Sequence, residues 1–158
     1  MKKIAKFYKV SETEYLKSGS IKDYSEIILP KRATVGSAGY DFFAPFSFTL
    51  SPKESIKIPT GIRVKIEDGW LLQIFPRSSL GFKYRLMLDN TVGIIDGDYF
   101  YAENEGHIFI KLTNCGEKPL TVEKGAAFAQ GVFTEFGITT DDEVSSLRIG
   151  GFGSTDKK

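Results

Sequence analysis

The residues best suited to chemistry in this chain are carboxylates, amides and hydroxyls set beside glycines and short apolar runs. The stretch Leu88–Tyr99 reads LDNTVGIIDGDY. Asp96 follows Ile94 and Ile95 directly, so the apolar pair could set its carboxylate against a wall that water does not flood. A carboxylate held there can act as a general base. Asn90 and Gly93 lie just upstream, and the pattern predicts a hairpin that aims backbone N–H and C=O groups at a flat polar ligand. Taken alone, the stretch also fits a solvated hairpin with turn aspartates.

Four further stretches carry polar groups at notable places. In Ser37-Ala38-Gly39-Tyr40-Asp41 a glycine permits close backbone approach before a carboxylate. Asp41 could hold a hydrated magnesium ion through water, or the segment is a turn entering a strand. Pro76-Arg77-Ser78-Ser79-Leu80-Gly81 follows an apolar run. Free N–H groups at a helix start, with two hydroxyls and an arginine, make an anion site, while Ser78 or Ser79 as a plain helix cap is the alternative. Gln130 is a lone amide in the apolar run GAAFAQ, and such a group must find a partner in the protein or on a ligand. Gly150-Gly151-Phe152-Gly153-Ser154-Thr155 sets one aromatic among glycines before two hydroxyls. That order fits a lid that swings over a flat base and binds phosphates, against a plain glycine-rich end. His107 and Cys115 have no chemically useful neighbours in sequence and read as structural or incidental.

These residues must be positioned by short strands. Ile56 and Ile58, then Ile62, Val64 and Ile66, alternate with lysine and arginine, and Ile108, Ile110 and Leu112 alternate likewise. Trp70–Phe75 is a fuller apolar run that fits burial on both faces, and Phe128–Phe133 is another strand candidate. Glu26–Leu29 is a short apolar run ended by Pro30. One short helix is expected at Ser78–Tyr84. The pattern predicts an all-β barrel or sandwich with at most one short helix. The 158 residues suffice for one domain, here 1–146, with 134–146 as an exposed connector and 147–158 as a flexible glycine-rich tail.

Composition excludes several classes. Net charge is +1 with 26% charged residues, so no broad basic surface points to nucleic acid. One cysteine and one histidine leave no intrachain disulfide and no Cys- or His-rich metal cluster, so any metal site is built from oxygens, which suits magnesium. No apolar run at the start is long enough for a signal peptide or membrane span, and a cytoplasmic location is expected.

SAGYD, PRSSLG, NTVGIIDGDY, AQ and GGFGST together resemble, in order, the five motifs of the homotrimeric deoxyuridine triphosphatases. The resemblance runs from about Thr34 to Thr155. It implies a jelly-roll chain, a homotrimer with shared active sites, and magnesium-dependent hydrolysis of dUTP to dUMP and pyrophosphate by water attack on the α-phosphate. It further implies that Asp41 binds hydrated magnesium and that Asp96 activates the water. By the same resemblance Arg77, Ser78, Ser79 and Gln130 bind phosphates, and Asn90 with Gly93, Ile94, Ile95 and Asp96 reads uracil and deoxyribose. Tyr99 is similar to the aromatic that packs on the sugar and leaves no room for a 2′-hydroxyl, and Phe109 matches a pocket position. Arg148 resembles an arginine that reaches the γ-phosphate, and Phe152, Gly153, Ser154 and Thr155 resemble the base-stacking and phosphate-binding tail.

The chain departs from the family pattern in places. Phe100–Glu105 intervenes where the family runs Arg-Gly-Glu straight into the next strand. Gly125-Ala126-Ala127 replaces Gly-Asp-Arg, and Asp156 replaces a glycine. Arg148 lies four residues before Phe152 rather than five. Two other readings share the fold: a dCTP deaminase-like nucleotide enzyme, and a non-catalytic nucleotide-binding regulator. The first needs a glutamate roughly where Lys111 falls. The second would be marked by loss of Asp96 or Asp41, and both are present.

Overall fold

Alternating branched and charged residues form strands in the computed structural model, which describes residues 1–19, 24–146, 148 and 150. In chain order these are β1 (Ala5–Lys9), α1 (Glu12–Lys17), β2 (Lys31–Arg32), β3 (Tyr40–Phe43), β4 (Phe48–Leu50), β5 (Ser55–Pro59), β6 (Ile62–Ile66) and β7 (Trp70–Pro76). There follow α2 (Ser78–Tyr84), β8 (Leu86–Leu88), β9 (Gly93–Ile95), β10 (Phe109–Asn114), β11 (Leu120–Val122) and β12 (Ala127–Glu135), with 3₁₀ turns at Tyr24–Glu26 and Gly97–Tyr101. The chain is all-β, of jelly-roll type. The helix α2 has the bounds expected. The six-residue α1 adds a turn and a half that the apolar pattern did not reveal; Ser11 caps it, its hydroxyl accepting from Glu14 N at 3.1 Å. The Glu26–Leu29 run forms no strand: its first residue ends a 3₁₀ turn, and Ile28 and Leu29 are exposed. Among the described residues no helix is long and apolar enough to cross a membrane.

Period two sets which side chains go inward. In β6, Ile62, Val64 and Ile66 are buried while Lys65 is exposed. In β7 only Leu72 and Ile74 are fully buried; the opposite face is half covered, so the strand is not sealed on both sides as its composition suggested. Phe42, Leu72, Ile74, Leu86, Ile110, Leu112 and Phe128 form the centre of one core. Each such burial stabilises by roughly 1.5–3 kcal/mol over an exposed side chain.

Strand order positions the polar residues. The largest sheet runs β2-β3-β12-β7-β9, and a second runs β5-β10-β8. The late strand β12 lies between β3 and β7, with Gln130 opposite Asp41 on one side and Phe75 on the other. The predicted hairpin at Leu88–Tyr99 differs in one respect. The chain does reverse, with Thr91 N donating to Leu88 O at 3.0 Å. Its arms, however, join different sheets: β8 pairs with β10, and β9 pairs with β7. Turn residues specify a reversal, not the partner of each arm.

Candidate active site

Three of the five stretches meet at the end of the large sheet. Asp41 from β3, Gln130 from β12, and Arg77, Ser78 and Ser79 after β7 line a cavity of about 300 Å³ with Ser37 and Gly39. The Arg77 guanidinium lies 3.3 Å from the Asp41 carboxylate, and Gln130 Nε2 donates to Pro76 O at 3.3 Å. A Cβ on Gly39 would sit 2.7 Å from Gln130 Oε1, so glycine is what lets the amide lie against this backbone. Arg77 occupies the N-cap position of α2 without a side-chain cap bond, and neither serine caps the helix. Both serines are exposed. The lining is an arginine, two hydroxyls, an amide and one carboxylate, a set that can hold an anion bearing several oxygens.

A second cavity, of about 390 Å³, opens between the two sheets. Asn90, Gly93 and Ile95 line it with Phe109, Ile74, Leu88, Asp89, Lys57 and Lys111. Ile95 is buried and Ile94 is exposed, so only the former contributes apolar wall here. This is a slot with an apolar floor and amide or charged groups at its rim, suited to a flat heterocycle. The Lys57 ammonium lies 4.6 Å from the Phe109 ring centroid. Lys111 pairs with Asp89 at 2.7 Å, and that hydrogen bond, with one from Thr113, holds the Asp89 carboxyl below the usual carboxylate range. Sequence reading missed Asp89 and Lys57, whose types and spacing mark them only as a turn and a strand surface.

Behind Phe109 lies His107, fully buried, with ring centroids 4.2 Å apart. His107 Nε2 accepts from Gly61 N at 2.9 Å, so its proton sits on Nδ1, which has no hydrogen-bond partner among the described residues. Burial pushes its pKa from 6.5 down to about 4, against the upward pull of Glu14 and Glu105.

Asp96 ends β9, half-buried, and opens the 3₁₀ turn Gly97–Tyr101. It lines neither cavity above but a larger groove of about 1210 Å³ with Asp98, Tyr101, Lys65 and Trp70. Arg148 is bound there rather than beside the serines: its guanidinium donates to Asp96 Oδ2 at 2.6 Å and to Asp98 Oδ1 at 2.7 Å. Two adjacent carboxylates make this a better partner for a cation than the arginine-bearing cavity. Tyr99 is 4% exposed, and the Arg148 guanidinium lies 5.9 Å from its ring centroid. Burial raises the Tyr99 pKa, opposed by the Asn104 hydrogen bond and the Arg148 charge. The predicted tail residues Phe152, Gly153, Ser154 and Thr155 lie outside the described residues.

The dUTPase family model matches residues 25–155. A deoxyuridine 5′-triphosphate nucleotidohydrolase of Lactococcus lactis subsp. lactis is 42% identical over 132 residues, covering 82% of this chain and 88% of the relative. The crystal structure of a dUTPase from Streptococcus mutans superposes with a TM-score of 0.68 at 35% identity, covering 84% of this chain and 97% of that one. A mutant dUTPase from phage phi11 of S. aureus, reported to reveal the coordination of a structural Mg(II) ion, shares the fold with a TM-score of 0.67 at 19% identity, over 91% of this chain and 98% of that one.

Proposed function

The chain belongs to the dUTPase family and is a dUTP diphosphatase, and from that premise we propose how its own residues carry out the hydrolysis of dUTP to dUMP and pyrophosphate. Asp96 takes a proton from a water molecule. The water oxygen forms a bond to the α-phosphorus, the bond from that phosphorus to the oxygen leading to the β-phosphorus breaks, and pyrophosphate leaves. Arg77, Ser78, Ser79 and Gln130 hold the phosphates and offset their charge. Asn90, Gly93, Ile95 and Phe109 hold the uracil, and Tyr99 packs on the deoxyribose. The observation that carries this reading is the convergence of Asp41, Arg77, Ser78, Ser79 and Gln130 on one oxygen-rich cavity from three distant parts of the chain.

Magnesium fits the donor set. Among the described residues no three carboxylate, His or Cys side chains gather into a metal cluster. A single carboxylate, Asp41, suits a hydrated ion that takes further oxygens from a triphosphate. Bound there, magnesium would supply charge neutralisation on the phosphates.

The working form is a homotrimer with shared sites. Among the described residues the phosphate-side cavity shares no lining residue with the base-side cavity or with the groove at Asp96, so these residues of one chain hold the parts of a site without joining them. Phe82, on α2 beside the phosphate-side cavity, is 91% exposed, which suits a surface covered by a second copy. Residues 147–158 act as the lid, with Phe152 over the base and Ser154 and Thr155 on the phosphates. As substrate enters, Arg148 must exchange its bonds to Asp96 and Asp98 for others, freeing the base. The protein works in the cytoplasm.

Incubation with a panel of nucleoside triphosphates, with pyrophosphate and ammonia assayed separately, tests this. Pyrophosphate from dUTP and no ammonia from dCTP are expected. Asp96→Asn should lose on the order of 10²–10⁴-fold in kcat while still binding dUTP. Wild-type-like turnover in that variant would refute the assignment of the base.

A further inference from the structure

The insertion Phe100–Glu105, which follows Tyr99, is anchored at both ends and presses on Tyr99 itself. The Glu105 carboxylate accepts from Ser11 N at 2.7 Å and from the Ser11 hydroxyl at 2.6 Å, and faces Arg63 at 3.7 Å. Arg63 Nη2 donates to Phe100 O at 2.6 Å, and its guanidinium lies 3.7 Å from the Phe100 ring centroid. Gly106 has φ +72°, and a Cβ there would lie 2.6 Å from Tyr99 O and 2.8 Å from Phe100 Cα. Glycine at 106 thus allows the loop to fold back against the Tyr99 backbone.

Asn104 completes the contact. Its Oδ1 accepts from Gly106 N at 3.2 Å, which orients the amide so that Nδ2 donates to the Tyr99 hydroxyl at 2.8 Å. That hydroxyl in turn donates to His107 O at 2.7 Å. The phenol oxygen is therefore held on both sides, by groups that are themselves fixed.

We propose that this insertion is a brace for Tyr99, with Asn104 as its positioning residue, and that it sets how strictly the site rejects a ribonucleotide. The proposal rests on the reading that Tyr99 packs on the deoxyribose. Steric rejection of one extra oxygen requires a wall that does not yield, because a compliant apolar pocket rejects an added hydroxyl by only about 10²-fold. A phenol anchored at its far end cannot tilt to admit the 2′-hydroxyl. A phenol with that end loose can.

The test is the ratio of kcat/KM for UTP to that for dUTP in Asn104→Ala, Tyr99→Phe, the double variant and Tyr99→Leu, with thermal stability measured alongside. Asn104→Ala should raise the ratio by about two- to tenfold, the size expected for one lost hydrogen bond, and Tyr99→Phe, which also removes the bond to His107 O, by at least as much. The double variant should match Tyr99→Phe, because that change has already removed the bond to Asn104. A role in folding alone would lower the melting temperature, or both activities equally, without moving the ratio. Should Asn104→Ala fail to fold, Tyr99→Phe frees the phenol end from Asn104 and His107 together, and an unchanged ratio there still overturns the brace. An unchanged ratio in Tyr99→Phe, or additive effects in the double variant, overturns the brace. If the ratio rises in Tyr99→Leu but not in the other variants, the brace is wrong and Tyr99 still faces the sugar. If Tyr99→Leu leaves the ratio unchanged as well, the sugar-packing reading is itself wrong and the proposal falls with it.

Discussion

Acidification should destabilise this protein through His107 before its carboxylates titrate. His107 is wholly buried, accepts from Gly61 N, and can take a second proton only on a ring nitrogen already committed to that bond. Its folded-state pKa is lowered from 6.5 to about 4. The sign follows from linkage: the unfolded chain binds this proton more readily, so the stabilisation is complete above pH 6.5 and is lost as pH falls through the interval down to 4. At about 1.4 kcal/mol per pKa unit, the loss amounts to about 3 kcal/mol in all, of which about 2 kcal/mol is gone by pH 5. Glu14 and Glu105 face the ring and favour the charged form, while Lys57 opposes it. The Glu105 carboxyl, held down first by the Ser11 hydroxyl, contributes stability that is lost only below its ordinary value of 4.5, so the interval above pH 5 isolates the histidine. The assay is chemical denaturation at fixed protein concentration from pH 7.5 to 4.5, for the wild type and His107→Gln, whose side-chain oxygen can still accept from Gly61. The wild type should lose midpoint steadily below pH 6.5, and the variant should be less stable at pH 7 but nearly flat to pH 5. Parallel curves for the two proteins would refute the argument.

Two further perturbations separate the parts of the site. Gly39→Ala places a methyl 2.7 Å from Gln130 Oε1, the far end of a flexible side chain. Thermal stability should change little while KM for dUTP rises about two- to tenfold, the scale of one displaced hydrogen bond; an unchanged KM would show that Gln130 does not meet the phosphates. Truncation after Ser146 removes the proposed lid and Arg148, whose bonds to Asp96 and Asp98 lie on the surface of the domain. Light scattering should still report a trimer and the melting temperature should barely move, but hydrolysis should fall sharply; full activity would reduce the tail to a loose end.

What the sequence disclosed and what it concealed differ for physical reasons. Alternation in β6 and β10 and the apolar run in β7 announced themselves, because period two survives any choice of partner. The helix α2 was legible from the proline and serines that open it. Strands β4, β8, β9 and β11 span three residues each, too short for a period to register. The reversal at Asp89–Val92 was visible, but its arms pair in separate sheets because pairing depends on β7 and β10, far along the chain. Asp41, Arg77 and Gln130 could be singled out by type, yet their meeting depends on register, which no local feature states. Asn104 was hidden most completely. Within Ala-Glu-Asn-Glu-Gly it reads as an ordinary turn residue, and its bond to the Tyr99 hydroxyl exists only because Gly106 lets the loop fold back.

The placement of β12 bears on how the molecule is made. The strand at the middle of the largest sheet spans Ala127–Glu135, and both of its neighbours, β3 and β7, are synthesised long before it. At about 5–20 residues per second, a growing chain exposes those two strands for several seconds with no partner between them. Unpaired edges of that kind template association with other chains. Chains in which β12 has yet to be made therefore carry the aggregation hazard of open sheet edges. The Asp41–Gln130 pairing forms only after β12 has followed both of its neighbours off the ribosome, which makes acquisition of the phosphate-side cavity a late step of folding.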